Sequence, residues 1–181
     1  MSRMPLIVAA EARNGAKELL DRTQAQLGRV PNLYRAMANS PAALDGYLSF
    51  RAALVGGRLN DRLREQLALL IAEANGCEYC VSAHSFRGSK IGISEAELKA
   101  TRQAQSDDAK VGALLAFANT LIETRGRVDD DALAAVREAL WSDEEITEVV
   151  AHVALNLFSN YFNHVAQPEL DFPRVEVSSH A

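Results

Sequence analysis

Residues 60–91 read NDRLREQLALLIAEANGCEYCVSAHSFRGSKI. Leu63, Leu67, Leu70, Ile71 and Ala74 recur at helical spacing and make one apolar stripe. Ala68, Leu69 and Ala72 fall on the opposite side of the same wheel. A helix apolar on both sides is expected to be buried on both sides. Glu65 lies within the second face, about 200° around the wheel from Leu63. A carboxylate there must find partners or take up a proton, because burying it bare costs several kcal/mol. Arg62 and Arg64 are the nearest candidates.

Asn75-Gly76 ends that helix, so Cys77 stands at the start of the next and Cys80 falls in its first turn. Unpaired backbone N–H groups and the positive dipole end favour a thiolate there. Cysteines at i and i+3 share a face and can close a disulfide. His84, four residues beyond Cys80, lies on the same face. Three groups that exchange protons therefore line one stripe. A free Cys can also be a small buried hydrophobe, and His84 a satisfied core histidine. Zinc is a further reading, with Cys77, Cys80 and His84 as ligands and Glu65 or Glu73 as a fourth, but no second C-x-x-C or H-x3-H pair supports it.

Outward from this segment, prolines fall at 5, 31, 41, 168 and 173, with none between Pro41 and Pro168. Ala and Leu dominate the interval and strong β-formers are thin, which predicts an all-α chain. Helices are expected at about 9–27, 31–38, 41–55, 60–74, 77–91, 94–104, 108–125, 129–139 and 142–163. Ser40-Pro41 and Asn60 can open helices; Ser94 with Glu97, and Ser142 with Glu145, read as capping boxes. Gly56-Gly57, Asn75-Gly76 and Gly126 read as stops that accept a left-handed backbone. Acidic residues at 129–131 and 143–145 sit at helix starts, where they complement the dipole. Residues 1–173 read as one domain and 174–181 as a flexible tail. Shifting 60–84 by 82 residues aligns Asp61 with Asp143, Ala72 with Ala154 and Tyr79 with Tyr161, a weak echo of a duplicated helix pair that replaces both cysteines, by Ser159 and Phe162.

The 181 residues are 48% hydrophobic and 24% charged, which fits a globular protein with a real core and excludes disorder. A net charge of −5 provides no footprint for nucleic-acid phosphates or an anionic membrane surface. No apolar run approaches the roughly 18 residues needed to span a bilayer. The amino terminus lacks a credible signal-peptide core, so a cytoplasmic protein is expected. There a lone cysteine pair reads as redox or metal chemistry rather than a stabilising framework. His152, in an apolar stretch, reads as a hydrogen-bonded core residue; His164, with Asn160 and Asn163, could line the site from a neighbouring helix; His180 belongs to the tail.

Glu65, eleven residues, Cys77-x-x-Cys80, three residues and His84 together resemble the alkylhydroperoxidase D (AhpD)-like branch of the carboxymuconolactone decarboxylase superfamily. Val30-Pro-Asn-Leu-Tyr34, Asn160-Tyr-Phe-Asn-His164 and Pro168-Glu-Leu-Asp-Phe172 resemble its peroxidase-related members, so the resemblance spans about residues 28–173. It implies a compact multihelical fold, homo-oligomers (trimers or hexamers), and cofactor-free, metal-free, thiol-dependent reduction of a hydroperoxide. Cys80 would attack the peroxide, Cys77 would resolve the sulfenic acid as a disulfide, and a dithiol or protein reductant would restore the pair. Glu65 and His84 would form the proton relay. One departure is Tyr79, where the prototype carries a second His between the cysteines; a phenol with an ordinary pKa near 10 is no base at pH 7. The alternatives are a general disulfide oxidoreductase, a redox-sensing oligomer, and the ring-cleavage decarboxylase that names the superfamily, whose members do not depend on a cysteine pair.

Overall fold

The computed structural model describes residues 2–13 and 15–178. Among the described residues it is all-α, with α1 (Ala16–Leu27), α2 (Asn32–Met37), α3 (Pro41–Val55), α4 (Asp61–Ala74), α5 (Glu78–Lys90), α6 (Glu95–Arg102), α7 (Ala109–Glu123), α8 (Asp130–Glu138) and α9 (Asp143–Ala166). His180 lies outside the described residues.

Helix α4 is the centre of the molecule. One side of it, Leu63, Leu67, Leu70 and Ile71, packs with Leu114, Leu115, Phe117 and Ala118 of α7 and with Val149 and Val153 of α9. Its other side contributes Leu69 and Ala72 to a second core with Leu20 of α1, Tyr34 and Met37 of α2, Leu44 and Tyr47 of α3, and Cys77 and Cys80. The two-sided apolar pattern of α4 therefore corresponds to two cores sharing one helix.

Side-chain caps set the helix starts. Ser40, Asn60, Ser94, Asp108, Asp129 and Ser142 each accept from a backbone N–H of their first turn. Ser142 and Glu145 complete the reciprocal box. The box expected at Ser94 is half made: the Glu97 carboxylate reaches across to Arg62 and Gln66 instead, fastening α6 to α4.

Three expectations are corrected. The first helix begins at Ala16 rather than near residue 9, because Gly15 adopts φ 85°, which interrupts any helix running through it. The last runs to Ala166, three residues past 163, and stops where Gln167 turns left-handed before Pro168. Gly56 has φ −82°, so no left-handed stop exists there. Its neighbour Gly57 has a different reason to be glycine: a Cβ would meet the Glu148 carboxylate at 2.5 Å. That carboxylate accepts from the backbone N–H groups of Arg58 and Leu59, pinning the α3–α4 connection onto α9.

The segment 142–166 that echoes 60–84 is one uninterrupted helix, whereas 60–84 contains the α4–α5 junction. Residues 174–178, expected to be flexible, lie along α5 and α4: Val175 exchanges hydrogen bonds with Ser82, and the Ser178 N–H donates to Glu73. On its outer side α9 leaves Val150, Phe158, Tyr161 and Val165 exposed.

Candidate active site

The turn between α4 and α5 builds the site. The Gly76 N–H donates to Glu73 and the Cys77 N–H to Ala72, closing the end of α4 with Gly76 at φ 65°. Cys77 is thereby left at the N-cap of α5, and Cys80 enters the first turn. Because α4 and α5 form a tight hairpin, a residue ten before Asn75 and one eight after Gly76 come side by side. His84 Nδ1 lies 2.7 Å from Glu65 Oε2. Arg62 is engaged by Glu97, and Arg64 by Asp61 and the Leu59 carbonyl, so the partner of Glu65 is His84 and not either neighbouring arginine. Burial opposes ionisation of Glu65, but His84, then Arg87 and Arg51, hold it below the ordinary 4.5.

Both cysteines are free thiols in buried positions. The Asn163 amide of α9 donates to both sulfurs, at 3.1 Å to Cys80 and 3.8 Å to Cys77. The Cys80 thiol and backbone N–H face the Cys77 sulfur and, with Asn163, bring Cys77 below the ordinary thiol value of 9.0 against the effect of burial. Burial, together with the neighbouring Cys77, pushes Cys80 well above it. The pair thus shares its first ionisation, whose charge the Asn163 amide helps to hold. Cys77 borders a pocket of about 420 Å³, shared with Tyr79, Asn163, His164 and Pro168, whereas Cys80 does not line it.

Tyr79 has a structural task. Its hydroxyl donates to Asp171 at 2.6 Å and accepts from the Leu33 N–H at the start of α2. Asp171 in turn accepts from the Asn32 N–H and pairs with Arg29. The flanking segments 30–34 and 168–172 are therefore clamped together against α5, through the residue that sits between the cysteines. Burial and Asp171 raise the Tyr79 phenol further, so it is neutral at any physiological pH. Tyr79→Phe should lower unfolding stability by about 2–4 kcal/mol in urea titration, since it removes a charge-assisted bond and strands a buried N–H. A loss below about 0.5 kcal/mol would show the clamp to be unimportant.

The remaining sequence candidates divide. Glu73 is buried and paired with Arg102. His164 reaches the pocket beside Cys77, where its Nε2 meets the Asn75 carbonyl at 2.9 Å. His152 is buried as expected, but its Nε2 has no hydrogen-bond partner among the described residues, and burial with Arg64 lowers its pKa to about 4. Among the described residues no group of three His, Cys, Asp or Glu could hold a metal ion. Sequence reasoning missed Arg51 and Arg87, which line a small chamber with Glu65 and His84. Arg87 had a signal: it is three residues after His84 and shares its helix face.

Residues 41–123, which include α4, α5 and both cysteines, match the carboxymuconolactone decarboxylase family. The segment that carries the site is thus similar to that family, and it lies in an AhpD-like fold. The solved AhpD core of a peroxidase-related protein from Ralstonia eutropha JMP134 superposes with a TM-score of 0.84 at 22% identity, covering 94% of this chain and 92% of that one. A peroxidase-related protein from Silicibacter sp. TM1040 gives 0.79 at 17% identity, covering 96% of this chain and 90% of that one. A cysteine-to-alanine variant of the debrominase Bmp8, in complex with 2,3,4-tribromopyrrole, gives 0.77 at 18% identity, covering 94% of each chain. No curated protein matches the sequence significantly. The AhpD-like fold thus hosts more than one chemistry, and function has to be argued from the site. No helix among the described residues is long and apolar enough to cross a membrane.

Proposed function

We propose that the protein is a thiol-dependent peroxidase that reduces organic hydroperoxides with its Cys77/Cys80 pair. The observation that carries this reading is the α4–α5 hairpin, which holds two neighbouring free thiols and a 2.7 Å histidine–carboxylate pair, with the Asn163 amide of α9 donating to both sulfurs.

A thiolate attacks a peroxide oxygen, the O–O bond breaks, and the alkoxide leaves with a proton as the alcohol. The oxidised sulfur is now a sulfenic acid. The second thiol displaces its hydroxyl, which departs as water, and a disulfide forms. An external dithiol then reduces the disulfide, so each cycle converts one hydroperoxide and two thiol hydrogens into alcohol and water. Glu65 and His84 supply the proton route: the carboxylate holds the imidazole and balances its charge while it takes or returns a proton.

With Cys80 as the attacking sulfur, that route must first draw the proton from the thiol that does not line the pocket. A second order is favoured by the pocket and the charge: Cys77, the lower-pKa thiol beside open space, attacks and Cys80 resolves. Single-cysteine variants separate the two. After one equivalent of cumene hydroperoxide, the variant that retains the attacking cysteine gains one oxygen and traps a sulfenic-acid reagent, and the other does not. Steady turnover of cumene hydroperoxide with dithiothreitol, lost in both variants, supports the peroxidase. Retained turnover in the double Cys→Ser variant would contradict it.

The exposed apolar residues of α9 support the accompanying expectation that copies of the chain associate as homo-oligomers. A sensor that oxidises once and changes assembly is the competing use of the same pair, and absence of turnover despite rapid disulfide formation would select it.

A further inference from the structure

The chamber behind the Glu65–His84 pair contains more positive charge than the relay needs. It is lined by Tyr47 and Arg51 of α3, Arg64 and Glu65 of α4, His84 and Arg87 of α5, and His152 and Asn156 of α9, with Val55, Ala68 and Leu155 as its apolar wall. Arg64 is already held by Asp61 and the Leu59 carbonyl. Arg51 and Arg87 are different: neither guanidinium makes a hydrogen bond or an ion pair among the described residues, and both act on Glu65 only through their charge. Arg87 rests against the Phe172 ring, 5.7 Å from its centroid, which leaves its N–H edge without an acceptor. His152, 4% exposed, likewise presents an Nε2 with no partner.

Glu65 is the single carboxylate lining the chamber, and His84 already engages it. Two partly exposed guanidiniums without a protein acceptor and a buried imidazole nitrogen without a partner line one void, a donor set that suits an anionic acceptor. The void, about 50 Å³, is one to two water volumes at roughly 30 Å³ each, the size of a carboxylate head. The head fills the void, so the carbon body of the same molecule extends from it past the apolar side chains of Val55 and Leu155.

We propose that this chamber binds the carboxylate of a small amphipathic acid through Arg51 and Arg87, beside His84. Binding is independent of any redox step. Its consequence for catalysis rests on the peroxidase reading: there, a hydroperoxide that also carries a carboxylate is the preferred substrate, oriented by its acid end while the O–O group reaches the thiols.

The test is calorimetric titration of the reduced protein with 4-isopropylbenzoate, and with the neutral 4-isopropylbenzamide of the same shape. The acid is expected to bind and the amide not, and Arg51→Gln and Arg87→Gln should each weaken the acid by about tenfold or more. Arg51 and Arg87 are both only partly buried and neither holds an ion pair, so both variants keep the fold, which far-UV circular dichroism checks. No binding of the acid, or equal binding of acid and amide, overturns the proposal. The peroxidase reading is judged separately, by thiol oxidation with cumene hydroperoxide and with its 4-carboxylate derivative. If neither oxidises the thiols, that reading fails while the binding result stands. If both do, a carboxylate preference that disappears in Arg51→Gln is the expected outcome, and equal rates in the wild type would remove the catalytic consequence.

Discussion

Glu65→Gln is expected to slow oxidation of the reduced thiols by hydroperoxide by about 10²–10⁴-fold, the usual scale of a lost proton-transfer partner. Glutamine keeps the shape and can still touch the His84 ring, so the fold and the Cys77–Cys80 geometry are preserved while the charge that balances a protonated imidazole is gone. The pH profile separates this from a structural effect. Glu65 is held below 4.5 and therefore stays ionised through neutral pH, so the wild-type rate should follow the thiols. Cys77 lies below the ordinary thiol value, so the rate should climb with pH and level off at lower pH than for an ordinary thiol. In Glu65→Gln the plateau should be depressed at every pH. A rate within about threefold of wild type would remove Glu65 from the relay.

Arg102→Met should destabilise the fold by about 3–5 kcal/mol at pH 7 in urea titration, because it strands a buried carboxylate. Glu73, on the inner face of α4, has Arg102 at 2.8 Å and the Ser178 N–H at 2.7 Å as its partners. Arg102 also donates to the Glu176 carbonyl, so one guanidinium ties α4, α6 and residues 176–178 together. Burial opposes ionisation of Glu73, and these bonds bring it below its ordinary 4.5. A carboxylate with a depressed folded-state pKa contributes stability above its unfolded value and loses it as pH falls through the folded one. The penalty of Arg102→Met should therefore be full at pH 7, shrink as the pH falls into the acid range, and vanish only below the depressed folded-state value, where Glu73 is protonated in either state. Replacing both partners, Glu73→Leu with Arg102→Met, should recover most of the loss. A penalty independent of pH would mean that packing of the Arg102 stem, not its charge, is what is lost.

How far the sequence could be read depended on whether partners were close along the chain. The two-sided apolar pattern of α4, the Asn75-Gly76 stop and the positions of Cys77, Cys80 and His84 are local properties of periodicity and capping, and they survive in the structure. The meeting of Glu65 with His84 was also legible, since both lie nearly equidistant from one tight turn. The amide of Asn163 is 83 residues from Cys80, and its aim at both sulfurs depends on how α9 rotates against α5, which no local pattern specifies. Glu73 and Arg102, and Tyr79 with Asp171, are likewise paired by tertiary packing. Tyr79 is the instructive case. Its place between two cysteines invites a chemical role, yet its hydroxyl is spent on the start of α2 and on Asp171. The early residues were misread for a different reason: Asn14-Gly15 is the same dipeptide as the Asn75-Gly76 stop, but the helix-forming residues on either side of it read as one continuous helix.

The central claim is that Cys77 and Cys80 form a peroxide-reducing pair. It is tested most directly by reducing the protein anaerobically, adding one equivalent of cumene hydroperoxide, and following intact mass and free-thiol count over time. The predicted result is rapid loss of both thiols with a mass decrease of two hydrogens, the signature of an internal disulfide, slowed in His84→Ala and absent when either cysteine is replaced by serine. Thiols that persist unchanged at that stoichiometry, with the fold intact, would contradict it.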